Sequence, residues 1–286
     1  TSFGADLTIV EESQEIVERL EEDHNLPLLT SCCPGWINFL EFQFPSLRGM
    51  ASSCKSPQQM IGTMAKTYYA EHIGERPQDI VVVAVMPCLA KKYEAARPEY
   101  AENGGPDVDY VITTRELSKM LKEAGIDLRD LEDEAFDNPL GESTGAGVIF
   151  GAAGGVLEAA LRTVYEHVNE KPLEDVDFTA VRGMQGVKEA EIRLNGKTVR
   201  VAAASGLGNA RELLERIEKG TSKYDVIEIM ACPGGCINGG GQPYSQERAE
   251  RIKARIEALY AVDQDQIVRK SHENPSVHRL NDENQN

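Results

Sequence analysis

Six cysteines carry the most reactive chemistry in the chain: Cys32, Cys33, Cys54, Cys88, Cys232 and Cys236. Two of them lie in Met230-Ala231-Cys232-Pro233-Gly234-Gly235-Cys236-Ile237-Asn238-Gly239-Gly240-Gly241-Gln242-Pro243. Five glycines and one proline fall within ten residues of Cys232, which suits neither a helix nor a strand interior. Such backbone approaches closely and can turn its N–H groups toward an anion. An iron–sulfur cluster is one such object, since its sulfurs accept hydrogen bonds. Taken alone, the pair is also what a glycine-rich turn with two buried thiols would show. The other cysteines decide between these.

Each cysteine site follows an apolar run that reads as a strand. Residues 26–31 lead into Cys32-Cys33, 80–86 into Cys88, and 224–231 into Cys232. In open α/β sheets, sites gather at the carboxyl ends of strands, so three strand ends can bring thiols to one point. Vicinal cysteines make an awkward pair of ligands for one metal, so one of the two is expected to ligate. With Cys88, Cys232 and Cys236 that makes four thiolates, which suit a cubane cluster or a structural zinc. Ligands spread over some two hundred residues at strand ends fit a buried cluster better than a zinc knuckle.

The remaining elements alternate in an α/β manner. Helices are expected over 11–23, 56–72, 115–124, from 145–155 on to about 167, and over 208–219 and 246–260. Further strands are expected over 108–113 and 177–182, and a hairpin over 190–204 turns at Asn195-Gly196. The run over 80–86 is continuously apolar, as for a strand covered on both faces. Residues 125–143 read as irregular, and the polar stretch from Asp263 onward as peripheral. Gly145-Ala146-Gly147-Val148-Ile149-Phe150-Gly151 lacks both the third glycine of a dinucleotide fingerprint and a preceding strand, which excludes that motif. Its small residues suit a helix packed very close to a neighbour. The fold class is α/β, in two lobes with mainly parallel sheets flanked by helices and the site between them, plus a short helical C-terminal extension.

With 286 residues the chain has room for a substantial core. Its net charge of −17 opposes nucleic-acid binding and leaves docking of a basic partner open. Six cysteines are too sparse for a disulfide scaffold at this length. No apolar run is long enough to span a bilayer. The sequence opens on Thr1, so it reads as a processed chain or part of a longer one.

Three segments now carry a family likeness: Thr30-Ser31-Cys32-Cys33-Pro34-Gly35-Trp36, Met86-Pro87-Cys88-Leu89-Ala90-Lys91-Lys92-Tyr93-Glu94, and Glu228 through Pro243. They resemble the signature segments of the iron-only (FeFe) hydrogenases, in family order. Val111 to Leu117 and Ser271-His272-Glu273-Asn274-Pro275 extend the likeness over nearly the whole chain. The resemblance implies reversible oxidation of H2 to protons and electrons at an H-cluster. That cofactor is a 4Fe–4S cubane joined to a two-iron unit with CO, cyanide and azadithiolate ligands. By resemblance, Cys33, Cys88, Cys232 and Cys236 hold the cubane, and Cys236 bridges to the two-iron unit. Cys32 exchanges the proton, as a thiol of ordinary pKa about 8.5 can near neutrality. Lys91 sits by a cyanide, Met86 and Met230 pack beside the two-iron unit, and Ser56, Gln58 and Phe150 complete the pocket. Without the motif cysteines, Lys91 would read as a surface lysine and the methionines as ordinary core.

Glu12 and Glu15 lie three apart, about 4.5 Å along a helix axis, on one face. Most such pairs are solvated acids. By resemblance they and Ser52 form a proton path to Cys32, in the order Cys32, Glu15, Ser52, Glu12, with Arg19 holding Glu15. A glutamate buried in that relay should have a raised pKa. Cys54 belongs to no signature and is expected as a buried thiol near Ser52. The likeness divides the chain into 1–29, the incomplete start of a first lobe; 30–144, carrying the Cys32/Cys33 and Cys88 motifs; 145–244, carrying the Cys232/Cys236 motif; and 245–286, a small-subunit-like helical tail. It further implies a redox partner such as ferredoxin or a partner subunit, maturation proteins, and a cytoplasmic setting, although some members are exported. It also implies an N-terminally truncated chain, since the family's catalytic domain begins well before Phe3. The alternative reading is a non-catalytic hydrogenase-like iron–sulfur protein acting in cluster assembly or electron transfer.

Overall fold

The computed structural model describes residues 1–101 and 104–284. Helix α1 (Ser2–Glu22) precedes the short strand β1 (Leu28–Thr30) and α2 (Pro34–Gln43). Then come α3 (Pro57–Met64), a π-helical turn over Ala65–Tyr69, and α4 (Ala70–Ile73). Strand β2 (Val83–Met86), α5 (Ala90–Ala95), β3 (Tyr110–Thr113) and α6 (Thr114–Glu123) follow. After an irregular stretch come α7 (Gly145–Ile149), α8 (Gly155–Asn169), β4 (Val187–Leu194), β5 (Lys197–Ser205), α9 (Leu207–Glu218) and β6 (Val226–Met230). The chain closes with α10 (Arg248–Asp265) and α11 (Pro275–Asn284).

Two sheets carry the cysteine motifs. The first has the order β1-β6-β5-β4, with β1 and β5 both parallel to β6, and β4 antiparallel to β5. The second pairs β2 with β3 in parallel. All five residues of β6 are buried. Helix α8 covers one side through Leu157, Ala160, Leu161 and Val164, packed with Leu28, Val201, Ala203 and Val226. Trp36, Leu40, Leu213, Leu214, Ile227 and Ile229 form the core on the other side. The expected hairpin turn is present: Asn195 and Gly196 both have positive φ, 46° and 81°, as a two-residue primed turn requires.

Four expectations are corrected. Helix α1 starts at Ser2 rather than residue 11; Phe3 to Ile9 is buried throughout, so its sequence has no polar face to reveal a period. Residues 177–182 form no strand but a single 3₁₀ turn over Thr179–Val181. The run over 80–86 is covered on one side only, since Val81, Val83 and Val85 are 64%, 51% and 41% exposed. The stretch after Asp263 is not peripheral: Asp263, Ser271, Asn274, Val277 and Leu280 are all buried.

Small residues in α7 work as expected. A Cβ on Gly145 would overlap the Asp263 carboxylate, and one on Gly147 would lie 2.5 Å from the Ser2 carbonyl oxygen. The helix is therefore pressed between α10 and α1.

Candidate cluster site and proton route

The three cysteine segments meet at the carboxyl ends of β1, β2 and β6. Cys33 is the N-cap of α2, with Pro34 at the first helical position, where its missing N–H leaves nothing unpaired. That geometry turns the chain sharply after β1 and leaves Cys33 buried against Ala231 and Trp36. The loop after β6 turns at Gly234 and Gly235, with φ of 81° and 98° that L side chains rarely adopt. It docks on the loop between α7 and α8: Ala153 N–H donates to Gly234 O at 3.1 Å, and Ile237 N–H to Gly151 O at 3.1 Å. It also docks on the Cys88 loop, where Gly241 N–H donates to Pro87 O at 2.9 Å. A Cβ at Gly239 would collide with that same carbonyl. Backbone this close explains the glycine density legible in the sequence.

Cys32, Cys88 and Cys236 line one cavity of about 230 Å³ together with Met86, Lys91, Gln58 and Phe150. The Cys32 and Cys236 thiols perturb one another, which lowers the Cys32 pKa and raises that of Cys236. Burial opposes the first effect and Lys91 assists it. Burial pushes Cys33 up to about 11. The donor set tests what this cavity fits. Thiolates around one zinc at about 2.3 Å lie roughly 3.8 Å apart. Among the described residues the one group of three or more candidate ligand side chains within 4.8 Å of one another is Glu166, His272 and Glu273, and it contains no thiol. Lys270 Nζ already sits there, 2.6 Å from Glu166 and 3.0 Å from Glu273. Among the described residues no three thiols therefore stand at the spacing of a single-ion site, and Cys33 and Cys232 do not line the cavity.

Lys91 is buried and its ammonium lies 2.9 Å from both oxygens of Glu94. Burial would lower its pKa, but the Glu94 and Cys32 charges outweigh this and raise it. Ser56 (2.9 Å) and Gln58 (3.1 Å) also donate to Glu94. Ser56 does not line the cavity but braces the carboxylate under Lys91. Met230 likewise lies in the core beneath, 1% exposed, rather than on the cavity wall. Glu94 was not singled out from sequence, although its i, i+3 spacing from Lys91 on α5 was a usable signal.

Glu12 is fully buried and its pKa rises to about 7, through desolvation first. The Thr30 and Ser52 hydroxyls oppose the rise, while the Glu15 and Glu228 charges add to it. Ser52 Oγ donates to Glu15 Oε2 at 2.7 Å, and Arg19 Nη2 to Glu15 Oε1 at 2.5 Å. Arg19 is fixed in turn by the carbonyls of Asn25, Met50 and Ala51. The expected order of the path is corrected here. Glu12, 3% exposed, is the inner carboxyl, whereas Glu15 has 14% of its side chain exposed and meets the exposed Ser53 N–H. Helical spacing placed both on one face but gave no depth. Among the described residues no hydrogen bond joins Glu12 to Cys32. Cys54 lies near Ser52 as expected but is half-buried rather than buried: its N–H donates to Ser52 Oγ at 3.2 Å and its thiol faces Glu15 Oε2 at 3.7 Å.

The chain is similar to known proteins in sequence and in fold. Residues 1–240 match the family described as "Iron only hydrogenase large subunit, C-terminal domain", and residues 249–284 match "Iron hydrogenase small subunit". The chain is 54% identical to the NADP-reducing hydrogenase subunit HndD of Solidesulfovibrio fructosivorans, over 98% of this chain and 49% of that one. It is 45% identical to iron hydrogenase 1 of Clostridium pasteurianum, again over 98% and 49%. The chain thus spans about half the length of these relatives. Protein NAR1 of Arabidopsis thaliana is 33% identical over 99% of this chain and 65% of its own. Among solved structures, the FeFe-hydrogenase HydA(deltaEFG) superposes with a TM-score of 0.85 at 44% identity, covering 98% of this chain and 78% of that one. Fold and sequence therefore agree that this chain belongs to the iron-only hydrogenase large subunit family, in its C-terminal domain, with a segment that matches the small subunit following it.

Proposed function

We propose that the chain interconverts H2 with protons and electrons as the catalytic region of an FeFe-hydrogenase. In this reading Cys33, Cys88, Cys232 and Cys236 would hold the cubane of an H-cluster. When bound, that cofactor supplies the H2 chemistry and carries the electrons. The protein's part is position, charge and proton movement. Cys32 Sγ takes up and returns the proton at the cavity. Glu12 receives it in the interior, where a pKa of about 7 keeps both protonation states accessible near neutrality. Ser52 and Glu15 then pass it toward solvent, along the 2.7 Å contact between them. Lys91, held by Glu94, presents an ammonium to an anionic ligand at the cavity wall. Met86 and Phe150 keep that wall apolar.

The observation that carries this reading is Glu12: a buried carboxyl whose pKa is raised chiefly by desolvation, with a hydroxyl and a second carboxylate leading outward. A protein that only holds cubanes has no use for it. The second reading, a non-catalytic protein of cluster assembly or electron transfer, is favoured by a relative named cytosolic Fe-S cluster assembly factor narfl, of Danio rerio, 35% identical over 91% of this chain and 66% of its own. Ferredoxin or a partner subunit and the maturation proteins remain the proposed partners, and a cytoplasmic setting the proposed one. No described helix is long and apolar enough to cross a membrane.

Infrared spectroscopy of protein purified anaerobically after co-expression with the hydrogenase maturation proteins tests the reading. Bands of metal-bound CO and cyanide are expected, together with H2 turnover that collapses in Cys32→Ser. A cubane signal with an empty CO and cyanide window would sink the hydrogenase reading in favour of the second.

A further inference from the structure

Two charged side chains lie buried behind the cysteine loop, and the proton route does not pass through them. Lys188 on β4 is 3% exposed and Glu228 on β6 is fully buried. Lys188 Nζ donates to Ala153 O at 2.6 Å and to Gly183 O at 3.1 Å. Glu228 Oε1 accepts from Gly154 N–H at 2.7 Å, and its Oε2 from Leu157 N–H at 2.8 Å. Ala153 C=O and Gly154 N–H belong to the same peptide group. One peptide therefore stands between an ammonium at its oxygen and a carboxylate at its nitrogen. Among the described residues the two charges form no direct ion pair.

Burial works against both, lowering the Lys188 pKa and raising that of Glu228, and each charge partly offsets the effect on the other. Glu228 also caps α8 from a neighbouring strand, since the helix's own N-cap, Gly154, has no side chain to do so. Two charges buried in this way are costly, and an apolar pair of the same volume would often serve stability as well. What the charges add is orientation, because charge-assisted hydrogen bonds fix the 153–154 peptide at both ends.

That peptide supports the cysteine loop directly. Ala153 N–H holds Gly234 O at 3.1 Å, and Gly151 O holds Ile237 N–H at 3.1 Å. A Cβ at Gly235 would lie 2.5 Å from Ala153 N, so backbone rests on backbone there. On its other side Gly234 N–H donates to Ser205 Oγ at 2.8 Å. Phe150 and Gly151, just before the clamped peptide, line the thiol cavity.

We propose that Lys188 and Glu228 are a positioning pair: acting across the 153–154 peptide, they fix the loop that carries Cys232 and Cys236 and balance the charge behind it. The proposal rests on a cubane at these cysteines, which both readings of the function share. Removing the positive charge should make that cubane harder to reduce, and removing the negative charge should make it easier.

Lys188→Met, Glu228→Gln and the double variant test this in two ways. The full chain, reconstituted anaerobically with iron and sulfide, is titrated with reductant under EPR detection, and the metal-free chain is unfolded in urea. The cubane's midpoint should fall in Lys188→Met, rise in Glu228→Gln, and lie between these in the double variant. At the parent's midpoint each single variant should change the reduced-to-oxidised ratio at least about threefold. In urea each single variant should lose stability, and the double variant should lose less than the sum of the two. A purely structural role would not give midpoint shifts of opposite sign. Shifts in one common direction, unshifted midpoints, or additive losses in urea would each overturn the proposal. If Lys188→Met does not fold, Glu228→Gln decides alone, by a raised midpoint or by its absence. A parent that takes up no cubane, with losses in urea still non-additive, would refute the cluster assignment and leave the clamp standing.

Discussion

Replacing Glu12 by Gln removes a titrating group while keeping its shape, which makes it the sharpest probe of the buried carboxyl. The ordinary value of 4.5 is raised to about 7 in the folded chain, chiefly by desolvation. The folded state therefore favours the protonated acid, and the unfolded chain loses the proton first. Stability contributed by Glu12 is complete below pH 4.5 and is lost as pH rises through 7. At about 1.4 kcal/mol for each tenfold difference in proton affinity, the whole penalty at high pH is about 3 kcal/mol, of which about 2.5 kcal/mol develops between pH 5 and pH 8. Asp6 and Glu228, also raised by burial, titrate in parent and variant alike and largely cancel in the difference. Urea unfolding of the metal-free protein at pH 5 and pH 8 should then show Glu12→Gln gaining about 2.5 kcal/mol on its parent across that interval. In cluster-loaded protein the same variant should lose at least about a hundredfold in H2 turnover, because an amide carries no proton. A stability difference that is flat in pH would mean that Glu12 is ionised in the fold. Unchanged turnover would take it off the proton route.

Three further perturbations are informative. Glu94→Gln leaves the Lys91 ammonium buried without its counter-charge and should destabilise the chain by about 3 kcal/mol in urea unfolding. Gly239→Ala keeps an ordinary φ of −63° but drives a Cβ into Pro87 O; iron bound per chain after anaerobic reconstitution should fall well below that of Gly49→Ala, where nothing lies within 4 Å. Asp263→Asn strips the carboxylate shared by Arg162 and Arg269, and should lower stability by about 3 kcal/mol and expose α10 to limited proteolysis before the rest of the chain.

The thiol site was legible because its signal is local. A strand, a cysteine and a breaker recur three times, and parallel sheets bring strand ends together whatever lies between them. Depth was not legible. Glu12 and Glu15 share a helix face by arithmetic, but which is buried depends on Thr30 and Ser52 arriving from elsewhere in the chain. The valines at 81, 83 and 85 look like core in any one-dimensional reading, yet the two-stranded sheet that holds the last two is covered on one side. Hydropathy failed most completely after Asp263, since the groups that bury that segment are charged. Arg162 and Glu158 are both fully buried, and Arg162 reaches Asp263 at 2.9 Å through each of two nitrogens. A pattern search for apolar faces discards such a contact at the outset.

The same charges give the C-terminal segment a role in the site. Asp6, near the start of α1, accepts from Thr144 N–H (2.7 Å) and Oγ1 (2.6 Å), from Ser271 Oγ (2.6 Å) and from Asn274 Nδ2 (3.2 Å). One buried carboxylate thereby ties together the helix that carries Glu12 and Glu15, the start of the helix leading to Phe150, and the Ser271-His272-Glu273-Asn274-Pro275 stretch. Asp263 does the same for α8 through Arg162, and fills the space that Gly145 leaves open. Both carboxylates need partners from two or three segments at once, because burying them otherwise would cost several kcal/mol. The residues matching a small subunit are therefore part of the frame that fixes α1 against α7, and with it the distance between the proton route and the cavity wall.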